Sequence, residues 1–303
     1  MKANSILLIQ VVVCCIFAIP CVLSASECEV KLCADRTHIL PFEPVGLVLE
    51  IENTSPGEVR KLGSRWSLFR IAKDEPGMPI QWNTYQPCGI HATLPPPSWL
   101  KLPPGQVFTD FLLLHIGLDN EPVFNEPGHY FIQSGTLFGE SNIVTIEVEG
   151  DETVAAAVRF LRDSGLYVLF SDYSAKSMVT LRERAEALSV ALDGFREMSK
   201  GTPYKTWLPV CEFILEEICS GIDSDHHPLD GEDSARYLRI AEGLPSPQRG
   251  HLISSIAMAQ MEQGNVKDAQ AAYSLLAAST DNGYFRQLAL YQLASIRNMT
   301  KPK

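Results

Sequence analysis

The chain of 303 residues changes character at Gly150. Between an apolar leader and that point, alternating apolar and polar residues are broken repeatedly by Pro and Gly. Beyond it, apolar residues recur every three or four positions almost to the end. Period two puts side chains on alternate faces of a strand, and period 3.6 gathers them on one face of a helix. The sequence therefore predicts a leader over 1–26, an all-β domain over 27–150 and an all-α domain over 151–303. Domains with separate cores fold separately unless a large apolar interface joins them, so a cut at Gly150-Asp151 is expected to release two folded pieces.

Lys2 is the lone charge of the leader, followed by Ile6–Ile19 with Gln10 its one polar member, then Pro20 and Ser24-Ala25-Ser26. That order of charge, apolar run and small residues is the pattern of a secretory signal peptide, with Ser26 the expected last residue removed. Gln10 and Pro20 break the run, which falls short of the roughly 20 apolar residues of a span. No membrane span is expected after removal. The net charge is −11, from 25 Lys and Arg against 36 Asp and Glu, with no basic stripe to offset it. Such a surface repels phosphate, which excludes nucleic acid and anionic lipid as expected partners.

Cys28, Cys33, Cys88, Cys211 and Cys219 lie beyond the leader. An exported protein keeps disulfides, and a pair drawn from Cys28, Cys33 and Cys88 would tie the first strand to the loop that holds Cys88. Cys211 and Cys219, eight apart on one helix, are separated by about 12 Å of rise, too far for a bond. They are expected as buried free thiols.

About seven strands are expected before Gly150, at spacings suited to an antiparallel sandwich of immunoglobulin type. They are Cys28–Ala34, Val45–Asn53, Trp66–Ala72, Met78–Trp82, Gln106–His115, His129–Leu137 and Ile143–Glu149. A hairpin at Gly139-Glu140-Ser141-Asn142 joins the last two. Thr84–Leu100 is an irregular stretch with Tyr85, Cys88, His91, three consecutive prolines and Trp99; long loops without regular pattern are often functional, so Tyr85, His91 and Trp99 are candidate binding residues.

The helical half shows stripes at Val154, Ala157, Val158 and Leu161, at Leu181, Ala185, Leu188, Leu192 and Phe195, and at Val210, Phe213, Ile214 and Ile218. Leu166–Phe170 suits helix or strand. Leu252, Ile253, Ile256 and Ala259 face inward on a helix ended by Gly264, and Asn265 caps the next, which buries Val266, Ala269, Tyr273 and Leu276. Asp281 is expected to cap a last helix carrying Phe285, Leu288, Ala289 and Ile296.

The segments "EPVGLVLEIENTSP", "LPPGQ", "EPGHYFIQSG" and "SNIVTIEVEG" resemble the immunoglobulin-like and macroglobulin-like domains of bacterial envelope proteins. In those domains a Pro-Gly-x-Tyr turn leads into the penultimate strand, which implies that Tyr130 caps a strand corner. "ISSIAMAQMEQGNVKDAQAAYSLLA" is similar to a tetratricopeptide hairpin, with Ile256-Ala257, Gly264, Ala269 and Tyr273 at its signature positions. It departs at Gln260, where an aromatic is usual, and at Asp281, where a Pro is usual. The resemblance implies a tetratricopeptide-like helical array.

"DSDHHPLDGED" over 223–233 is the richest group of ligand-type side chains. Pro228 stands where an EF-hand needs its Gly, and adjacent His226 and His227 rarely converge on zinc, so it is read as a solvated loop whose Asp230 caps the next helix. Asn53-Thr54-Ser55 and Asn298-Met299-Thr300 fit the glycosylation pattern. The chain has no nucleophile elbow, zinc-protease helix or phosphate loop. The expectation is an exported, non-enzymatic interaction or scaffold protein of the cell envelope, periplasmic in a Gram-negative source, with a protein or peptide partner and neither cofactor nor metal. Two competing readings are an enzyme or enzyme inhibitor working through the 84–100 loop, and a helical oligomerisation module that carries the sandwich.

Overall fold

The computed structural model describes residues 27–61, 68–75, 77–85, 100–116, 121–136, 138–170, 181, 183–220 and 231–299. Among the described residues, strands end at Val148 and helices begin at Glu152, so the change of class falls at Gly150. β1 (Cys28–Ala34), β3 (Val45–Asn53) and β8 (Val107–Leu114) form an antiparallel sheet in the order β1-β3-β8. A second sheet runs β2 (His38–Ile39), β11 (Val144–Val148), β9 (Gly128–Thr136), β5 (Leu68–Lys73) and β6 (Asn83–Tyr85), with β10 (Gly139–Glu140) beside β9. Its β2–β11 pair is parallel. β4 (Val59–Lys61) and β7 (Leu100–Leu102) make a small ribbon.

The two sheets pack face to face. Leu32, Leu47, Leu49, Ile51 and Leu114 from the first meet Phe69, Ile71, Ile132, Ile146 and Val148 from the second in one core. Tyr130 holds a strand corner as expected: its hydroxyl donates to the Glu126 carbonyl at 3.0 Å, and burial pushes its pKa up to about 12. Two sequence expectations fail here. Met78–Trp82 forms no strand, because Pro79 has no N–H for a ladder and Met78 and Ile80 are exposed; pairing with β5 begins only at Asn83. The link between β9 and β11 is interrupted by β10, whose Gly139 and Glu140 pair with Thr136 and Gly135.

Seven α-helices follow among the described residues: α1 (Glu152–Ser164), α2 (Ala185–Met198), α3 (Leu208–Ser220), α4 (Gly231–Glu242), α5 (Ser246–Glu262), α6 (Val266–Ser279) and α7 (Gly283–Met299). Leu166–Phe170 and Pro203–Trp207 are short 3₁₀ turns. Asp151 caps α1, its carboxylate accepting from Thr153 N at 2.8 Å and Val154 N at 3.2 Å. From α4 to α7 each helix packs on its predecessor. Gly264 turns the chain between α5 and α6 at φ +78°, a conformation that favours glycine.

Three details of this half differ from the sequence reading. Asn265 caps α6 through its backbone carbonyl, because its side chain is turned back to donate to Gln260 Oε1 at 2.9 Å. Gln260 is buried and also donates to Ser234 Oγ of α4 at 2.7 Å, so a polar contact occupies the place where the tetratricopeptide motif has an aromatic. The cap of α7 is Asn282, one residue after Asp281: its Oδ1 accepts from Phe285 N at 3.3 Å. Cys211 is buried, but Cys219 faces solvent.

The halves share a core. Phe42 and Val48 of the β half belong to the hydrophobic cluster of the helices, and Phe111 and Leu113 pack against it. α7 lies on the outer face of the first sheet, with Tyr284 against Phe111 and Tyr291 beside it. Gly46 permits that approach: a Cβ there would stand 2.4 Å from the Tyr284 ring. This cover explains why Val45–Leu49 is buried on both faces.

Candidate functional site

The candidate binding loop lies mostly outside the described residues, including Cys88, His91 and Trp99; Tyr85 is placed by its backbone in β6, opposite Phe69. Asp223, Asp225, His226, His227 and Asp230 also lie outside them. Cys28 and Cys33 are five residues apart on the extended β1, a separation of about 16 Å that excludes a bond between those two. The sequon at Asn53 is closed, since Asn53 is buried and its Nδ2 donates to the carbonyls of Gly57 and Leu102, both at 2.7 Å.

A polar cluster sits where the halves meet, at Leu40-Pro41-Phe42-Glu43-Pro44. Phe42 has φ +68°, in the left-handed region that a bulky residue enters only when its surroundings impose it. Its N–H donates to the Phe124 carbonyl at 2.6 Å, and its ring stacks on Tyr167 at 5.1 Å. Glu43 follows and is buried. Its Oε1 accepts from Trp207 Nε1 at 2.6 Å, and its Oε2 accepts from Arg36 Nη1 and Leu40 N, both at 3.0 Å. Arg36 also donates to the Pro44 carbonyl, and the Tyr204 hydroxyl donates to the Pro41 carbonyl at 2.8 Å.

A second tie lies one strand away. Asp35 accepts from Gly46 N at 3.0 Å and from Asn282 Nδ2 at 3.1 Å, so the residue that caps α7 also holds the β half. Burial raises the Asp35 pKa against the opposing pull of Arg36, Asn282 and Gly46. His115 is buried with its ring edge toward Tyr167, and burial lowers its pKa to about 3, so it is a neutral imidazole in any physiological compartment. Burial, then the nearby Glu43, pushes the Tyr204 phenol well up. Around these groups a chain of rings runs through Phe170, Trp207, His251, Phe285, Tyr284 and Phe111, with successive centroids 4.8–6.1 Å apart.

Perturbed titratable groups gathered in one place are the usual mark of a catalytic centre. Here one oxygen of Glu43 and one of Asp35 accept from the helical half, through Trp207 and Asn282, while the other oxygen of each accepts from donors of the β half. The arrangement fixes two layers to one another. Sequence reasoning missed it because its partners are far apart along the chain; the Pro-Phe-Glu-Pro run and the aromatic Tyr204 and Trp207 were its visible signs.

One carboxyl group stands apart from the seam. Glu217 of α3 has a buried Oε1 without a hydrogen-bond partner, and burial, followed by Glu262 and Glu216, raises its pKa to about 7. A carboxyl whose folded pKa exceeds its unfolded value near 4.5 contributes stability that is full below that value and lost as pH rises through 7. Glu217→Gln is therefore expected to be more stable than the parent at pH 8, with the gain shrinking to nothing by about pH 4. Urea midpoints measured across that range check it, and a difference that did not change with pH would refute it.

No family model matches the chain, and no curated protein matches it. Among solved structures, it is similar to a β-glucosidase from Listeria innocua at 17% identity over 42% of this chain and 16% of that one, with a TM-score of 0.27. A cycloisomaltooligosaccharide glucanotransferase from Paenibacillus sp. gives 16% identity over 42% and 15%, TM-score 0.26. The sporulation control protein Spo0M from Bacillus subtilis gives 8% over 45% and 55%, TM-score 0.26. The chain spans less than two thirds of each of them, and overlaps at such TM-scores carry no argument about fold or activity.

Proposed function

We propose that this protein is an exported, non-enzymatic interaction protein of the cell envelope, in which an immunoglobulin-like sandwich and a tetratricopeptide-like helical array act as one rigid platform for a protein or peptide partner. The observation that supports this reading is the seam. Glu43, Arg36, Asp35 and the ring chain are spent on fixing helices to sheet, which suits a surface assembled from both halves. Helical stacks and sheet edges both bind extended segments. The net charge of −11 favours a partner with a basic surface.

The test is photo-crosslinking in the native envelope, with the reactive group placed at the exposed Leu290 or Val190 of the helical half. A discrete adduct on a protein whose first residue is Glu27 is expected. Recovery of the protein from the cytosol with Met1 intact, or the absence of any adduct from the helical surface, would overturn the reading.

A further inference from the structure

Outside the seam, the outer face of the second sheet carries a row of ligand-type side chains that neither the leader nor the interaction reading uses. His38 on β2 stands opposite Glu147 on β11, and Glu147 stands opposite His129 on β9. Residues opposite one another on neighbouring strands share a face, with Cβ atoms about 5 Å apart. Three strands thus place two imidazoles and a carboxylate side by side.

The side chains lean together. His38 Nε2 lies 3.3 Å from Glu147 Oε2, and His129 Nε2 lies 3.8 Å from the same oxygen. The Thr37 hydroxyl lies 3.1 Å from His38 Nδ1, a contact on the ring nitrogen away from Glu147. His38, His129 and Glu147 are 63, 54 and 46% exposed, so they are open to an ion from solvent and free to turn. As they stand, no three such groups among the described residues converge at metal-bond distance. Closing the site therefore requires rotation of these exposed rings, chiefly the more distant His129.

We propose that His38, Glu147 and His129 form a surface site for a divalent transition-metal ion such as Zn²⁺. Two imidazoles with carboxylate oxygens are a donor set for zinc and its first-row neighbours, whereas calcium and magnesium take oxygen alone. Zinc bonds of about 2.0–2.2 Å to nitrogen and oxygen leave ligand atoms a little over 3 Å apart, close to the 3.3 Å already separating His38 from Glu147.

The experiment is Zn²⁺ titration by calorimetry on the full chain without its leader, at pH 7.5 after chelator treatment, with Co²⁺ absorption as a second readout. One equivalent is expected to bind. His129→Ala and Glu147→Gln are each expected to weaken it by about tenfold or more, the scale seen when even an outer partner of a ligand is lost. These positions are exposed, so circular dichroism should show the fold unchanged, and His38→Ala serves as an independent third variant. The double variant His226→Ala/His227→Ala is expected to bind as the parent does. Zinc affinity unaltered by the row variants, or lost with the His226/His227 pair, would overturn the proposal.

Discussion

Replacing Phe42 by Ala is expected to destabilise the protein by about 3–5 kcal/mol, the range for removing a buried Phe ring. The ring is 1% exposed, stacks on Tyr167 and belongs to the helical core although it comes from the β half. Ala leaves the backbone problem in place, since any Cβ is penalised at φ +68°. Phe42→Gly loses the same ring but relieves that strain, worth roughly 1 kcal/mol or more. Glycine is therefore expected to be the milder substitution here, the reverse of its usual order. Denaturant unfolding of the full chain measures both variants. An Ala variant as stable as the parent would show that the ring holds nothing, and a Gly variant weaker than Ala would show that the backbone is not strained.

Much of the fold is legible in the sequence because it is set by local pattern. Leu188, Leu192 and Phe195 are buried where the helical spacing puts them, and Val144, Ile146 and Val148 where the alternation does. What local pattern cannot supply is the partner of a buried group. The Pro41–Pro44 turn is ordinary as sequence; it becomes the junction only because Tyr167, Tyr204 and Trp207, over a hundred residues later, fold onto it. Asp281 and Asn282 are both good caps, and the contact from Asn282 to Asp35 accompanies the choice of the second. Val45–Leu49 carried a readable sign, since a strand buried on both faces is apolar almost throughout while one with a wet face alternates. Its alternation resumes only at Glu50 and Glu52. The row of His38, Glu147 and His129 was invisible for the same reason as the junction: three strands remote in sequence bring it together.

The shared core changes what a break in the chain should do. Independent pieces were expected on the premise that no large apolar interface joined the halves, and the structure supplies such an interface in Phe42, Val48, Phe111, Tyr284 and Trp207. Separating them would bare these surfaces and leave Glu43 and Arg36 without Trp207. The most direct test is to insert a protease site between Gly150 and Asp151 in a variant whose Trp66, Trp82 and Trp99 are replaced by Phe, cut the folded protein, and pass it through size exclusion while recording emission from Trp207, the one tryptophan left. Both pieces are expected to elute together at the size of the uncut chain, with the emission of a buried indole that shifts to the red only when denaturant parts them. Elution as two separate folded pieces, with Trp207 emission unchanged from the uncut protein, would contradict the account.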